Sequence, residues 1–174
     1  MKIVHSFWSG PLQAAGGLPR FRQYFPEPRY YWYSWVLSAG QAHKVYGDVE
    51  LVTDDFGKDL LVNQLRLPYT SVLVALNDIP AHPGLWAYGK LIAYGLQTRP
   101  FFHIDGDVFL WKRLPAAFEN AAVGAQSAEP LSFPVYGGPL EVVREMAERF
   151  GMLLPPSWER NLPHDTAYNA GILG

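Results

Sequence analysis

FFHIDGDVFLWK, residues 101–112, decides the fold. Phe101 to Ile104 suit a buried strand, and they run straight into two aspartates separated by one glycine. In extended backbone the side chains alternate, so Asp105 and Asp107 are expected to point the same way. Two carboxylates that close raise each other's pKa unless a cation lies between them. Gly106 is expected to leave the backbone open to an approaching ligand. Ligands of open α/β sheets bind beyond the carboxyl ends of the strands. Hard oxygen donors in that place suit Mg²⁺ or Mn²⁺ carrying substrate phosphates. A solvated turn uses the same three residues, but the apolar run in front argues against a plain surface turn.

Outward from this stretch, strand and helix alternate. KIVHSFW (2–8) reads as a first buried strand, followed by a Gly- and Pro-rich loop over 9–29. A helix follows to Tyr46, with an apolar stripe of Tyr31, Trp35, Leu37, Ala42 and Val45 and a stop at Gly47. Strands are expected at 48–53 and 70–76, with a short helix over 54–65 between them. A helix over 84–97 carries Leu85, Tyr88, Ile92 and Leu96 at helical spacing. Gly89 and Gly95 weaken that helix and let it lie close to the sheet. Further elements are a strand at 123–128, a helix over 139–150 and a strand in TAYNAGILG at the end. The alternation predicts one α/β domain over 1–174, a mostly parallel central sheet with helices on both faces.

Composition narrows the function. The chain has 174 residues, 49% of them apolar, which suits one core. A net charge of −2 gives no electrostatic case for nucleic acid. The absence of cysteine excludes disulfides and thiolate zinc sites and points to the cytoplasm. The N-terminus is too short in its apolar part for a signal peptide, and no apolar run reaches membrane-spanning length.

Three chemistries compete for the two aspartates. A calcium loop of the EF-hand kind needs further oxygen ligands that Val108 to Trp111 do not supply. FFHIDGDV resembles the opening motif of aspartate-nucleophile phosphatases of the haloacid dehalogenase type, which implies Asp105 as nucleophile and Asp107 as acid/base. That motif sits near the N-terminus in those enzymes, and their downstream Ser/Thr, Lys and acidic motifs are not evident here. The third match covers more of the chain. KIVHSFW, GLWAYGKLIAYGLQTRPFFHIDGDVFLWKRLP and HDTAYNAGILG, in this order and spacing, resemble the N-terminal part of the nucleotide-sugar glycosyltransferases of GT-A fold, of the glycogenin and galactosyltransferase kind.

The resemblance implies a metal-dependent transfer of a sugar from a nucleotide-diphosphate donor to a saccharide or other hydroxyl acceptor. It implies Asp107 as a ligand of Mn²⁺ or Mg²⁺, and Asp105 as a second ligand or a ribose contact. It places His5, Ser6, Phe7 and Trp8 beside the base, Asp54 and Asp55 near base or ribose, and Lys90 toward phosphates or sugar. Asn169, Ala170 and Gly171 would line the donor-sugar side, with Asp165, next to His164, approaching the sugar. It assigns no catalytic base, and it implies that the acceptor pocket and a further metal ligand lie in a C-terminal part beyond Gly174. Each role has a plainer counterpart. Phe7 and Trp8 suit a core, Asp54 a helix N-cap, Lys90 a solvated helix face, and Asn169 with Gly171 a turn at a strand start; His103 shares the aspartates' face by alternation but lies deeper in the strand, which suits a hydrogen-bonded interior better than a ligand. A non-catalytic carbohydrate- or nucleotide-binding module is a further alternative.

Overall fold

The computed structural model describes residues 1–14, 25–81, 85, 87–130, 143–145, 147–149, 151–153, 156 and 166–174. They fall into two compact units, Met1–Gly124 with Gly171–Gly174, and Ala125–Ala170. The strands are β1 (Lys2–Phe7), β2 (Val49–Thr53), β3 (Ser71–Val74), β4 (Phe101–Ile104), β5 (Ala125–Pro130) and β6 (Thr166–Leu173). The helices are α1 (Gly10–Ala14), α2 (Pro28–Tyr46), α3 (Asp55–Gly57), α4 (Tyr88–Gly95) and α5 (Ala116–Glu119). Hydrogen bonding orders the strands β3-β2-β1-β4-β6-β5. β1 to β4 are mutually parallel, and β6 runs antiparallel to β4. The fold is thus α/β with a mixed six-stranded sheet whose core is parallel, and β4 is central in it, as its apolar run predicts.

Alternation along β1 sorts the two faces of the sheet. Ile3 and Phe7 face α2, packing with Ala42 and with Trp35 and Ala39 respectively. Val4 faces α4, packing with Ala93. Helices therefore cover both faces, and the central strands can be apolar throughout.

α2 starts with Pro28 in its first turn and ends at Gly47, whose φ of 74° is the left-handed conformation that favours glycine. Its buried residues are Ser34, Trp35, Ser38, Ala39 and Ala42. Leu37, expected in the stripe, is exposed. Two serines are buried instead because both hydroxyls are satisfied inside, Ser34 on the Tyr31 carbonyl at 2.7 Å and Ser38 on the Val108 carbonyl at 2.6 Å.

α4 keeps only Ile92 of the expected stripe against the sheet, where it packs on the Val4 cluster. Gly89 and Ala93 are buried, whereas Leu85, Tyr88 and Leu96 are exposed. The small residues let the helix approach the sheet. A Cβ on Gly89 would lie 2.9 Å from the Trp8 Cβ, while one on Gly95 would meet nothing within 4 Å. The close approach thus belongs to Gly89 alone. The segment 54–65 is helical but not regular, since α3 passes into a π-helical stretch, Lys58–Gln64, closed by Leu65 N–H on the Leu60 carbonyl.

In the second unit, residues 143–145 and 147–149 are helical. The rest of the helix expected over 139–150, residues 15–24 of the loop expected over 9–29, and His164 and Asp165 lie outside the described residues; within that expected loop, Gly10–Ala14 form the short helix α1. No helix among the described residues is long and apolar enough to cross a membrane.

Candidate functional site

The chain lays down β1, β2 and β3 in one direction and then places β4 on the other side of β1. The gap between the carboxyl ends of β1 and β4 is therefore the topological switch point. The connections leave it in opposite directions, the arrangement at which open α/β sheets bind their ligands. Ser6, near the end of β1, and His103 and Asp105, at the end of β4, meet at this point.

Asp105 is partly buried, and Lys90 on α4 holds both its oxygens, Nζ lying 2.7 Å from Oδ1 and 2.8 Å from Oδ2. This answers the solvated-helix alternative for Lys90, which carries an interior ion pair. Burial pushes the Asp105 carboxyl above its ordinary value; the Lys90 ammonium opposes this, and the Asp107 charge adds to it. Tyr94 sits one helical turn after Lys90, on the same face. Its ring stands edge-on to His103 at 5.0 Å, and burial raises its phenol, with Asp105 adding.

His103 is 1% exposed, and its Nε2 bonds the Ser6 hydroxyl at 2.8 Å. Burial, then the charge of Lys90, lowers its pKa well below the usual value, so the ring is neutral. Its Nδ1 has no hydrogen-bond partner and lies 3.8 Å from Asp105 Oδ1. Alternation along the strand correctly puts His103 and Asp105 on one side.

The same alternation fails one step later. β4 stops at Ile104, and Val108 N–H closes a turn on the Asp105 carbonyl at 3.0 Å. Gly106 and Asp107 are the central residues of that turn, and Asp107 is exposed while Asp105 is held inside. The expectation of two carboxylates pointing together from extended backbone is corrected accordingly. Gly106 is corrected too. A Cβ there would lie 2.3 Å from the Trp35 indole, so Gly106 makes room for a core tryptophan and not for a ligand. Ser38, directly behind, bonds the carbonyls of Val108 and Asp105 at 2.6 and 3.2 Å. The negative charges of Asp107 and Asp105 also reach Tyr31, whose phenol burial already raises.

Beside this point lies a cleft of about 270 Å³ at the ends of β1 and β2, lined by Trp8, Ser9, Gln13, Asp54, Asp55 and Asn77 among others. Trp8 is half-buried there, and Phe7 is 5% exposed in the core against Trp35. Asp54 is a buried N-cap. Its Oδ1 accepts from Gly57 N–H at 2.7 Å and its Oδ2 from Ser9 N–H at 2.6 Å. Asp55 and Asn77 exchange two bonds at the rim, each 2.7–2.8 Å. Among the donor-side residues, the Gly171 carbonyl accepts the Asp105 N–H at 2.9 Å. Asn169, in the second unit, donates Nδ2 to Glu129 Oε1 at 2.7 Å.

The donor set can be tested against a divalent cation. Among the described residues no three His, Asp or Glu side chains gather as a cage. Mg²⁺ and Mn²⁺ working on phosphates need only one or two carboxylates, the remaining ligands being water and phosphate oxygens. Asp107, exposed on the turn, with the partly buried Asp105 two residues before it, fits that requirement. Sequence reasoning missed Ser38 and Trp35 as supports of the turn, and Tyr94 as a neighbour of His103. A buried serine in an otherwise apolar helix face was the available signal for the first.

Over residues 1–174 the sequence matches the profile of a family described as a family of unknown function (DUF6734). No curated protein and no solved structure matches it.

Proposed function

The chain belongs to DUF6734, a family of unknown function, so its activity has to be read from its own residues; we propose that it binds a nucleotide-diphosphate sugar and takes part in transferring the sugar to a hydroxyl acceptor. One observation carries this reading. A central parallel strand delivers an Asp-Gly-Asp turn to the switch point of the sheet, with Lys90 held beside it. That is where open α/β sheets bind phosphorylated ligands. The finer GT-A identity of the sheet rests on the resemblance of the sequence motifs.

In this reading Asp107 contacts a Mn²⁺ or Mg²⁺ ion and Asp105 stands behind it. When bound, the ion supplies Lewis-acid stabilisation of the charge on the leaving diphosphate. Lys90 adds a positive charge for the phosphates, and the half-buried Trp8 offers an apolar wall for the base. Phe7 and Asp54 act from behind, the first by packing and the second by bracing the loops after β1 and β2. Gly171 fixes the backbone of Asp105. No side chain is assigned as the catalytic base. The lack of cysteine accords with a reducing compartment, and we place the activity in the cytoplasm.

Calorimetry with UDP, GDP and ADP, with and without Mn²⁺, tests the reading. At least one nucleotide should bind more tightly with Mn²⁺, and Asp107→Asn should abolish the gain with the fold intact. Binding indifferent to both metal and Asp107 overturns it. Cleavage of phosphomonoesters, lost in Asp105→Asn, would put a phosphatase in its place. Binding of sugars or nucleotides without any turnover would leave a non-catalytic module.

A further inference from the structure

Resting on the metal reading above, we propose that the Lys90 ammonium is a placeholder cation: it occupies Asp105 until a diphosphate draws it off, and so makes divalent-metal binding conditional on the diphosphate.

The geometry is that of an occupied site. Lys90 meets both oxygens of Asp105 within 2.8 Å, the arrangement a bound cation would take. Both groups are largely withdrawn from water, with side-chain exposures of 15% and 26%, so the attraction between them is screened much less than at the surface. A divalent ion arriving alone beside Asp107 therefore finds one carboxylate already neutralised and an ammonium facing it. It gains little and is repelled. A diphosphate changes this balance, because its oxygens are strong acceptors for an ammonium. Once Lys90 turns to the phosphate, Asp105 recovers its charge and the ion can use it.

A second feature shows where Asp105 goes when released. His103 Nδ1 is buried, has no hydrogen-bond partner, and lies 3.8 Å from Asp105 Oδ1. A buried polar nitrogen left unpaired is costly, and it is rarely left so without a reason. A carboxylate shift of about 1 Å brings it within ordinary hydrogen-bond distance. With Nδ1 protonated, the neutral imidazole donates to one Asp105 oxygen and leaves the other for the ion. His103 is then a positioning residue. Its Nε2 accepts from Ser6, which fixes the ring. The ammonium and the imidazole are thus alternative partners of one carboxylate, and only the first is engaged in the absence of phosphate.

Mn²⁺ titrations of the full chain, followed by electron paramagnetic resonance, test this with Mn²⁺ alone and with inorganic pyrophosphate present. The wild type should bind Mn²⁺ weakly alone and at least about tenfold more tightly with pyrophosphate. Lys90→Met should bind Mn²⁺ alone roughly tenfold more tightly than the wild type, the effect of removing one nearby like charge in a partly screened site, and should lose most of the pyrophosphate gain. Lys90→Gln repeats the measurement should the methionine variant fold poorly. With Mg²⁺ and pyrophosphate, the ¹⁵N signal of His103 Nδ1 should move as it gains its acceptor. If Lys90→Met binds Mn²⁺ alone no better than the wild type, while the wild type still shows Asp107-dependent binding, the placeholder is wrong and the metal site stands. If Mn²⁺ binding is absent, or untouched by Asp107→Asn, the metal reading and the placeholder both fall.

Discussion

The Ser38 hydroxyl donates to the Val108 carbonyl at 2.6 Å, and this one bond fixes which nitrogen of His5 carries the proton. A serine has a single hydroxyl proton. With it shared between the Val108 carbonyl and, more weakly, that of Asp105, the Ser38 oxygen accepts from His5 Nε2–H at 3.3 Å, and His5 Nδ1 accepts from the Tyr69 hydroxyl at 2.9 Å. Both nitrogens of a fully buried ring are satisfied only while the ring is neutral, with a single proton. A chain of bonds from Tyr69 through His5 and Ser38 thereby ends on the acidic turn.

The first expectation concerns acid. Burial lowers the His5 pKa from 6.5 to about 3, and His103 is lowered in the same direction. Below pH 6.5 the unfolded chain gains a proton on each ring that the folded chain refuses. Stability therefore falls as pH falls through that window, by about 1 kcal/mol per pH unit for each ring. Asp105, raised in the folded state, acts with the opposite sign. Urea unfolding measured between pH 7 and 4.5 should show the decline (these limits bracket roughly the upper part of the window), and His5→Gln should make it shallower. An unchanged slope in the variant would remove His5 as its source.

Gly106→Ala should destabilise the fold, because the added methyl meets the rigid Trp35 indole at 2.3 Å. The expected cost is about 1–3 kcal/mol, typical of overpacking. Tryptophan emission should shift with it. A variant as stable as the wild type would return Gly106 to the role of leaving space for a ligand.

The two glycines of α4 should respond in opposite directions. Gly95→Ala gains helix propensity without meeting any atom, and should stabilise by about 0.5–1 kcal/mol. Gly89→Ala brings a methyl within 2.9 Å of the Trp8 Cβ, an atom close to the backbone that cannot swing aside. That clash should outweigh the propensity gain. Thermal unfolding of the pair decides it, and equal shifts would contradict the packing described for α4.

Asp54→Ala should cost about 2–4 kcal/mol, since two buried N–H groups, of Ser9 and Gly57, lose a charged acceptor. Asp54→Asn should cost less, one oxygen remaining to accept. Denaturation midpoints of both variants check the order. If alanine and asparagine are equally mild, the bracing role of Asp54 is overstated.

The sequence made the strands legible because the buried ones are short, mostly apolar segments rich in β-branched and aromatic residues, and Gly47 was legible as a stop because only glycine readily takes its φ. Alternation also put His103 and Asp105 on one side. What it could not carry was the point where alternation ends. Asp-Gly is itself a turn signal, but the apolar run in front of it outweighed that signal, and the bonds from Ser38 that hold the turn come from a distant helix. The inward face of α4 was hidden for a related reason. Gly89 was legible as a point of close approach, but Ala93 is buried because it is small, and smallness leaves no trace in a hydrophobic period. The Lys90–Asp105 pair likewise depends on how α4 is rotated against β4.

The bond from the Asp105 amide to the Gly171 carbonyl also has a bearing on synthesis. β4 leaves the ribosome long before the residues that pair with it on its outer side, because β6 comes near the end of this sequence. During that interval the nascent chain carries a central strand with one row of unpaired backbone groups, a template for strands of other chains. The acidic turn is finished only when Gly171 arrives. A premature stop after β5 would therefore leave a protein with its parallel strands in place, a sticky open edge, and an Asp105 whose amide had nothing to hold it.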